Sequence, residues 1–363
     1  MLSALKNSNR PFMIAGPCSA ESAEQVMEVA RSLDTSRVDL LRAGIWKPRT
    51  RPDSFEGMGE KALPWLVEAG GEVGLPVTTE VASAAHVEAC LKAGVDILWV
   101  GARSTVNPFS VQNIADALRG VDIPVLVKNP INPDLQLWIG AVERLEKAGI
   151  RQMGVIHRGF SHLGKSNYRN LPMWEIPIAM KTEFPDLPMY CDPSHINGNR
   201  DGLLPIAQKA IDLGMDGLML ETHPRPDEAL SDAKQQITPA TLSEILDALV
   251  WRRMDNIDPI LANKLAELRA SIDTIDDEII RLLVARFDVT EEIGEYKKQN
   301  NLTILQLDRW KKVVEAYEKQ WVRKGLSANF VKKYLEILHK ESIRRQTQVM
   351  NQRGTSDSNE VIW

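Results

Sequence analysis

The 363-residue sequence contains only three cysteines, at positions 18, 90 and 191. So few thiols give no disulfide framework and are typical of a protein of the reducing cytoplasm. The N-terminal residues lack the basic region and apolar run of a secretory signal. No stretch approaches the roughly 20 apolar residues of a membrane helix. These absences predict a cytoplasmic protein.

An excess of positive charge is also missing. Forty-four basic residues face 49 acidic ones, which gives a formal net charge of −5. This balance argues against bulk affinity for nucleic acid or for an anionic membrane surface, so we expect no partner of either kind. The hydrophobic share of 44% and charged share of 26% are ordinary for a globular protein. The length suits one large domain with a smaller one.

Residues 11–222 alternate short apolar runs with longer amphipathic, helical stretches. Near-continuous hydrophobicity in the runs suits strands that are buried on both faces of a parallel sheet. Eight such units within about 250 residues predict an α/β fold, a (β/α)8 TIM barrel. A doubly wound open sheet is the alternative, but no G-x-G-x-x-G follows the first run. The runs are PFMIAG (11–16), DLLRAGI (39–45), LPVTTEV (75–81), DILWVG (96–101), IPVLVKN (123–129), QMGVIHRG (152–159), LPMYCDPS (187–194) and GLMLETH (217–223).

Proline is absent from residue 260 onward, and apolar residues there recur at intervals of three and four residues. Between Leu261 and Tyr296 this spacing predicts one helix of about 40 residues, followed by helices over 307–324 and 328–350. Three helices this elongated cannot enclose a core alone, so we expect a helical dimer or docking on the barrel. The predicted organisation is a barrel over 1–250, a linker over 251–262, an all-α three-helix domain over 263–350 and a loose tail over 351–363.

Polar residues stand at nearly every predicted strand end, where a TIM barrel carries its chemistry. Cys18, His195 and Glu221 follow runs one, seven and eight, which are neighbours in a closed barrel, and Asp232 lies just beyond. A mixed set of sulfur, nitrogen and oxygen donors suits a borderline divalent ion such as Zn, Mn, Fe or Co. Either Cys18 or His195 alone would be better explained as a core residue. Together, the four residues predict a metal centre.

A second set at the strand ends is cationic. Buried like charges are costly without counter-ions, so a mouth that holds several cations predicts polyanionic ligands, namely phosphates and a carboxylate. The prolines of KPRTRP (47–52) would stiffen the loop that presents three of these charges. The set comprises Arg42, Lys47, Arg49, Arg103, Lys128 and Arg158.

Seven short motifs accompany the predicted strand ends: GPCS (16–19), KPRT (47–50), GAR (101–103), VKN (127–129), DPSH (192–195), ETH (221–223) and SDAKQ (231–235). Together they resemble the signature set of the type I beta 3-deoxy-D-arabino-heptulosonate 7-phosphate (DAHP) synthases over about residues 10–250. The related 3-deoxy-octulosonate 8-phosphate synthases share the barrel but lack KPRT. The resemblance implies a metal-dependent condensation of phosphoenolpyruvate with erythrose 4-phosphate that releases phosphate.

The resemblance implies the binding residues, and the chemistry of the reaction adds further candidates. Lys47 is the candidate proton donor, and Glu80 is a weaker candidate for orienting a water molecule. Cys191 is either a core residue or a partner of Cys18 in an inactivating disulfide. The implied sites are Cys18, His195, Glu221 and Asp232 for the metal, Arg103 and Lys128 for the phosphoenolpyruvate phosphate, Arg42, Lys47 and Arg158 for its carboxylate and reacting end, and Arg49 and Thr50 for the erythrose 4-phosphate phosphate.

Residues 263–350 resemble the all-helical chorismate mutases, which convert chorismate to prephenate. Arg286 and Lys297 are eleven residues apart and share one helix face. Arg269 lies 17 residues before Arg286 and cannot serve the same pocket in its own chain. It could serve a partner's pocket if two long helices run antiparallel, which predicts a homodimer. The resemblance assigns stabilisation of the ether oxygen to Lys297 with Gln346. The matching positions are Arg269, Arg286, Lys297, Arg309, Ser342 and Gln346; they could also be surface charges of a docking bundle.

Two functions remain open at this stage. The chain is either a bifunctional enzyme or a synthase whose helical part mainly binds chorismate or prephenate as an effector. Gln306 and Trp310 stand where carboxylates are common in the mutases, which favours a lower mutase rate. Because the first predicted strand begins close to residue 1, we expect the C-terminal part to be the sensor in either case.

Overall fold

A computed structural model describes residues 10–47, 55–252 and 259–352. The chain divides into two compact units, Met1–Met254 and Asp255–Trp363. Within the described ranges, no helix has both the length and the apolar character needed to cross a bilayer.

The first unit is a closed barrel, in which eight described strands run parallel in the order of the sequence. β1 pairs with β2 on one side and with β8 on the other, which closes the ring. This closure confirms the TIM barrel and excludes the open sheet. The strands are β1 Phe12–Gly16, β2 Leu40–Arg42, β3 Val77–Val81, β4 Ile97–Val100, β5 Val125–Lys128, β6 Met153–His157, β7 Met189–Cys191 and β8 Gly217–Glu221.

Helices cover the outside of this ring, and side chains of the barrel unit begin several of them. Ser22, Ser83 and Asp134 each accept a hydrogen bond from a backbone N–H of the first turn of their helix. The helices are α1 Ala23–Ser32, α2 Leu63–Val73, α3 Ala84–Ala93, α4 Ala102–Thr105, α5 Pro108–Ala117, α6 Leu135–Lys147, α7 Glu175–Glu183, α8 Pro193–Asn197, α9 Leu203–Asp212 and α10 Pro239–Ala248.

Side-chain alternation along the strands separates two cores. In β7, Tyr190 packs inside the barrel, whereas Cys191 belongs to the core between strands and helices. Trp99 of β4 is among the inner side chains and is 1% exposed. The inner core therefore forms the floor beneath the carboxyl ends of the strands, where the chemistry of such a barrel is placed.

The second unit consists of α11 Pro259–Gln299, α12 Leu307–Arg323 and α13 Ala328–Asn351, close to the predicted spans. α13 packs along the C-terminal half of α11, where Gly294 lets the backbone of Gln346 come within 3.3 Å of a Cβ position. Residues 261–282 of α11 are exposed on every side. A helix with a row of apolar side chains but no core of its own needs a partner surface.

Candidate functional site

Three strands bring four potential metal ligands to the mouth of the barrel. Cys18 follows β1, His195 lies in α8 directly after β7, and Glu221 ends β8. The Sγ atom of Cys18 lies 3.4 Å from Oδ2 of Asp232. Nε2 of His195 lies 3.9 Å from Oε1 of Glu221. Elements that are distant in the sequence thus meet because β8 is hydrogen-bonded to both β1 and β7.

Cations of the chain itself stand beside two members of this set. Nζ of Lys47 donates to Sγ of Cys18 at 3.0 Å, and Nη2 of Arg42 lies 3.1 Å from Oε1 of Glu221. In the part of the chain that the structure describes, no three His, Cys, Asp or Glu side chains are gathered as a ready metal centre. The contacts give a physical reason, since Lys47 and Arg42 hold the sulfur and the carboxylate that an ion would draw together.

Burial controls the protonation of these groups. It raises the pKa of the Cys18 thiol to about 12, so binding of a metal ion to this sulfur has to displace a proton. Burial alone would also raise the pKa of Glu221, but His195, Arg42 and Lys47 outweigh it and hold that pKa below its usual range. Glu221 is therefore an anion, and Gln235 Nε2 fixes its Oε2 with a 2.6 Å hydrogen bond.

Asp232 is held in an unusual backbone conformation. Its φ of 47° lies in the left-handed region, which residues other than glycine seldom adopt. Nη1 of Arg169 donates to Oδ1 of Asp232 at 2.9 Å and to Oε1 of Gln235 at 2.7 Å. Burial by itself raises the pKa of Asp232, but the charges of Arg169, His195 and Lys47 together outweigh it and hold the pKa far below its usual range. Arg169 therefore fixes the direction of a carboxylate that can ligate an ion.

Asp192 connects the potential metal ligands with the cationic set. Its Oδ2 lies 3.0 Å from Nζ of Lys128 and 2.8 Å from Nδ1 of His195, while Oδ1 accepts from the backbone N–H of His195 at 3.0 Å. Burial by itself raises the pKa of Asp192, but His195 and Lys128 outweigh it and hold the pKa well below its usual range. A carboxylate on Nδ1 leaves Nε2 of His195 facing Glu221, an arrangement that is common for histidines that bind metal ions.

The buried cations differ in how fully they are satisfied. Arg158 donates from Nη1 to Asn170 Oδ1 at 2.7 Å, and burial lowers its pKa only to about 10, so it stays charged at neutral pH. Nη2 of Arg42 faces Glu221, whereas its buried Nε and Nη1 have no hydrogen-bond partner among the described residues. Because an unpaired buried donor is costly, Arg42 points to an anionic ligand at this position.

Two further predicted residues stand around these cations. Glu80 of β3 is half-buried, and its Oε2 accepts a 2.9 Å hydrogen bond from Nε1 of Trp99. Arg103 lies in α4 and is exposed. The mouth therefore ranges from buried charges at its floor to an accessible cation at its rim.

The second unit contains a cavity of about 640 Å³ between its three helices. Nζ of Lys297 donates to Oε1 of Gln346 at 3.1 Å and to the carbonyl oxygen of Ile304 at 2.6 Å. Nη1 of Arg286 donates to Oγ of Ser342 at 3.1 Å. Arg309 also lines this cavity. The described lining residues include three cations and no carboxylate, so the cavity suits an anionic guest.

Trp310 forms one wall of the cavity together with His339. Their rings are stacked with centroids 3.8 Å apart and an interplanar angle of 13°. Gln306 also lines the cavity. The two positions where the sequence departs from the mutase pattern therefore line the cavity, and one of them carries a stacked aromatic ring instead of a carboxylate.

Comparison with known proteins gives a family for each unit. A model described as the DAHP synthetase I family matches residues 5–257, more than half of the chain. The chain belongs to the DAHP synthetase I family. A model described as chorismate mutase type II matches residues 268–347. The protein therefore combines a DAHP synthase domain, a transferase, with a chorismate mutase domain, an isomerase, and both belong to aromatic biosynthesis.

Individual relatives agree with the barrel assignment. A phospho-2-dehydro-3-deoxyheptonate aldolase of Thermotoga maritima is 34% identical over 237 residues, which cover 65% of this chain and 68% of the relative. A 2-dehydro-3-deoxyphosphooctonate aldolase of Alkalilimnicola ehrlichii is 29% identical over 266 residues, covering 67% and 91%. The crystal structure of the Thermotoga maritima DAHP synthase superposes with a TM-score of 0.58 at 33% identity, covering 65% and 67%.

The DAHP synthase barrel brings most of the predicted mouth residues together. Two of them, Arg49 and Thr50, lie outside the described residues. In the mutase domain, Arg286, Lys297, Arg309, Ser342 and Gln346 share one cavity. Arg269 is exposed and is not among the lining residues, in keeping with the expectation that it cannot serve this pocket in its own chain.

Sequence reasoning assigned no role to Asp192, Trp99 or Gln235, although each makes central contacts in the mouth. Asp192 precedes a proline that opens α8, a position typical of a helix N-cap, and this was the available signal. Trp99 looked like an ordinary residue of a buried strand. Nothing in the local pattern distinguishes a tryptophan that packs in the core from one that also holds charges.

Cys191 and Cys18 are both buried free thiols. Because Cys191 packs between the strands and the outer helices while Cys18 is at the mouth, the structure favours the core alternative for Cys191.

Replacing Asp192 by Asn tests the charge network. Asn still caps α8, but Lys128 loses its counter-ion in a buried position, so we expect a loss of about 3–5 kcal/mol in the free energy of unfolding of the barrel. Asp116→Asn, which removes an exposed pair with Arg119, is the control and should cost less than about 1 kcal/mol. Urea unfolding measures both, and equal losses would contradict the network.

Proposed function

We propose that the chain is a bifunctional enzyme that makes DAHP from phosphoenolpyruvate and erythrose 4-phosphate and rearranges chorismate to prephenate. The observation that carries the synthase half is the buried guanidinium of Arg42, with two nitrogens unpaired among the described residues at the floor of the mouth. The family matches and the anion-binding character of both sites support the proposal.

Phosphoenolpyruvate carries two anionic ends, and the mouth offers cations for both. The unpaired nitrogens of Arg42 suit the carboxylate, with Arg158 charged nearby. Lys128 and the exposed Arg103 suit the phosphate. Arg49 and Thr50, outside the described residues, would take the phosphate of erythrose 4-phosphate. Cations in fixed positions hold the substrate without reorganisation during the reaction.

A divalent ion fits the donor set at the mouth. Oε1 of Glu221 is buried and lacks an aligned hydrogen-bond donor among the described residues, and Nε2 of His195 faces it. Cys18 and Asp232 complete a mixed set that suits Mn, Co, Zn or Fe. When bound, such an ion would act as a Lewis acid and polarise the aldehyde carbonyl.

Lys47 is the proposed proton donor for the condensation. Loss of water contact lowers its pKa, but Cys18 and Glu221 outweigh this and raise the pKa above the ordinary value, so the ammonium is charged. It can deliver a proton to the aldehyde oxygen as the carbon–carbon bond forms. Glu80 is proposed to orient the water molecule that adds to C2 before phosphate leaves.

We expect Lys47→Ala to bind metal as the wild type does and to lose roughly 10²–10⁴-fold in synthase turnover, because the proton donor is gone. Metal content after dialysis and consumption of phosphoenolpyruvate measure the two properties, with chelated enzyme restored by single metals as the reference. Lys61→Ala, an exposed lysine, is the control. Full activity of Lys47→Ala would remove this residue from the mechanism.

The mutase half needs no nucleophile and no metal ion. Chorismate rearranges within one molecule once its two carboxylates are fixed in the reactive conformation. Arg286 and Arg309 line the cavity and suit the carboxylates. Lys297 and Gln346, joined at 3.1 Å, are placed to stabilise the ether oxygen as its bond breaks.

A homodimer would complete each mutase site. Apolar side chains of α11 such as Leu268 (50% exposed), Ile272 (56%) and Ile275 (58%) lie open in the single chain. An antiparallel second α11 would cover them and would bring the partner's own copy of Arg269 to the cavity. The proposed dimer therefore shares its catalytic residues between chains.

Mixed dimers test this sharing. Arg269→Ala and Lys297→Ala should each be nearly inactive as mutases, but their co-expression should restore about a quarter of the wild-type rate, because half of the dimers are mixed and each has one intact site. The pair Arg286→Ala with Lys297→Ala is the matched control, since both residues belong to one chain's cavity and no intact site forms. No gain over this control would refute the shared site.

The alternative is that the helical domain is mainly an effector-binding module. The aromatic stack of Trp310 and His339 in place of a carboxylate favours slow catalysis without weakening the cationic cavity. We propose that chorismate or prephenate bound there inhibits the barrel in both readings. Loss of chorismate with the full-length protein distinguishes an active mutase from a sensor.

We expect prephenate to lower the synthase rate of the wild type and to have no effect on full-length Arg286→Ala, because the cavity then lacks a carboxylate ligand. The uninhibited synthase rate of the variant should match the wild type. Deletion of residues 256–363 is a second variant that should also be unresponsive. Inhibition that persists in both proteins would exclude the helical domain as the sensor.

A further inference from the structure

Trp99 occupies the centre of the floor beneath the proposed phosphoenolpyruvate site. It lies on β4, one residue before the strand ends, and its ring packs inside the barrel with 1% exposure. Its backbone is paired with Glu80 on β3 and with Leu126 on β5. The position places one large aromatic ring under side chains that arrive from several strands.

Two buried cations contact this one ring. The guanidinium carbon of Arg42 lies 4.9 Å from the ring centroid, and Nζ of Lys128 lies 5.4 Å from it. Each cation also has its own carboxylate, Glu221 for Arg42 and Asp192 for Lys128. Two like charges in a buried site repel each other, and the electron-rich ring between strands offsets part of this repulsion. The ring thus sets the places of both charges.

The edge of the same ring fixes a carboxylate. Nε1 of Trp99 donates to Oε2 of Glu80 at 2.9 Å. On the other side, a Cβ added to Gly101 would lie only 2.2 Å from Oε1 of Glu80. The carboxylate is therefore packed against the backbone of Gly101 and held there by the indole N–H. A hydrogen bond to a charged group stabilises this arrangement more than a neutral one would.

We propose that Trp99 is a positioning residue for the condensation. Its ring holds Arg42 and Lys128 where they can bind the carboxylate and the phosphate of one substrate molecule. Its N–H sets the direction of Glu80, which orients the attacking water. The inference rests on the proposed synthase function and adds to it a residue that touches neither substrate nor metal. The two roles use different parts of the indole, so they can be separated.

Substitution by Phe and by Leu separates the two roles. Trp99→Phe keeps an aromatic face and loses the N–H, so kcat should fall roughly tenfold or more while the KM for phosphoenolpyruvate changes by less than about threefold. Trp99→Leu loses both, so the KM and the calorimetric Kd for phosphoenolpyruvate should also rise roughly tenfold. The KM for erythrose 4-phosphate should change little in either variant.

Trp138→Phe is the matched control. Trp138 of α6 is equally buried and donates from Nε1 to the carbonyl oxygen of Val127 at 3.2 Å, but it packs in the core between the strands and the outer helices rather than inside the barrel. It should lose stability in thermal unfolding while both kinetic constants stay within about twofold of the wild type. A general packing defect at Trp99 would give this same behaviour.

The outcomes are distinct. A tenfold split between the two Trp99 variants in affinity for phosphoenolpyruvate, with reduced kcat in both, supports the inference. If the wild type is active but Trp99→Phe behaves like Trp138→Phe, the inference is overturned and the proposed function stands. The same conclusion follows if the two Trp99 variants bind phosphoenolpyruvate with equal affinity. A wild type that neither binds nor condenses phosphoenolpyruvate overturns the proposed function and the inference with it.

Discussion

Buried carboxylates that neutralise buried cations are the constraint on which the barrel mouth depends. Asp192 has no contact with water, yet it must stay ionised because Lys128 and His195 both lie against it. Glu221 has the same relation to Arg42. Such pairs cost desolvation energy that their attraction only partly returns, so a fold that keeps them uses them for something other than stability. Here the carboxylates keep Lys128 and Arg42 charged at the floor of the barrel mouth. An anionic substrate bound there can replace the hydration that these cations lose on burial.

The two domains position their anion-binding cations by different physical means. In the synthase domain, eight strand ends converge within one chain, and closure alone decides which residues meet. In the mutase domain the cations sit on long helices, and the N-terminal half of α11 lies away from the cavity that its C-terminal half builds. In the proposed dimer, the mutase cavity would also receive Arg269 from the other chain, so association and catalysis would be linked there.

The sequence predicted the fold well because both periodicities are strong. Every apolar run became a strand, and the proline-free region became three helices close to the expected bounds. Strand-end positions also predicted the mouth residues, since parallel strands must deliver their ends to one rim. The pairing of side chains in the mouth could not be predicted from the sequence. Nothing in the spacing shows that Lys47 lies against Cys18, or that Trp99 touches two cations, because these contacts depend on rotamers and on barrel curvature.

In the proposed dimer, the open stripe on α11 would make the two halves of the chain respond differently to dilution. A folded barrel gains nothing from a second copy for its own closure, whereas the cover that a second α11 provides depends on mass action. At low protein concentration the helical half would therefore loosen first, while the barrel keeps its shape. Amide hydrogen exchange along α11 would then depend on how much protein is present, and exchange in β1 or β8 would not.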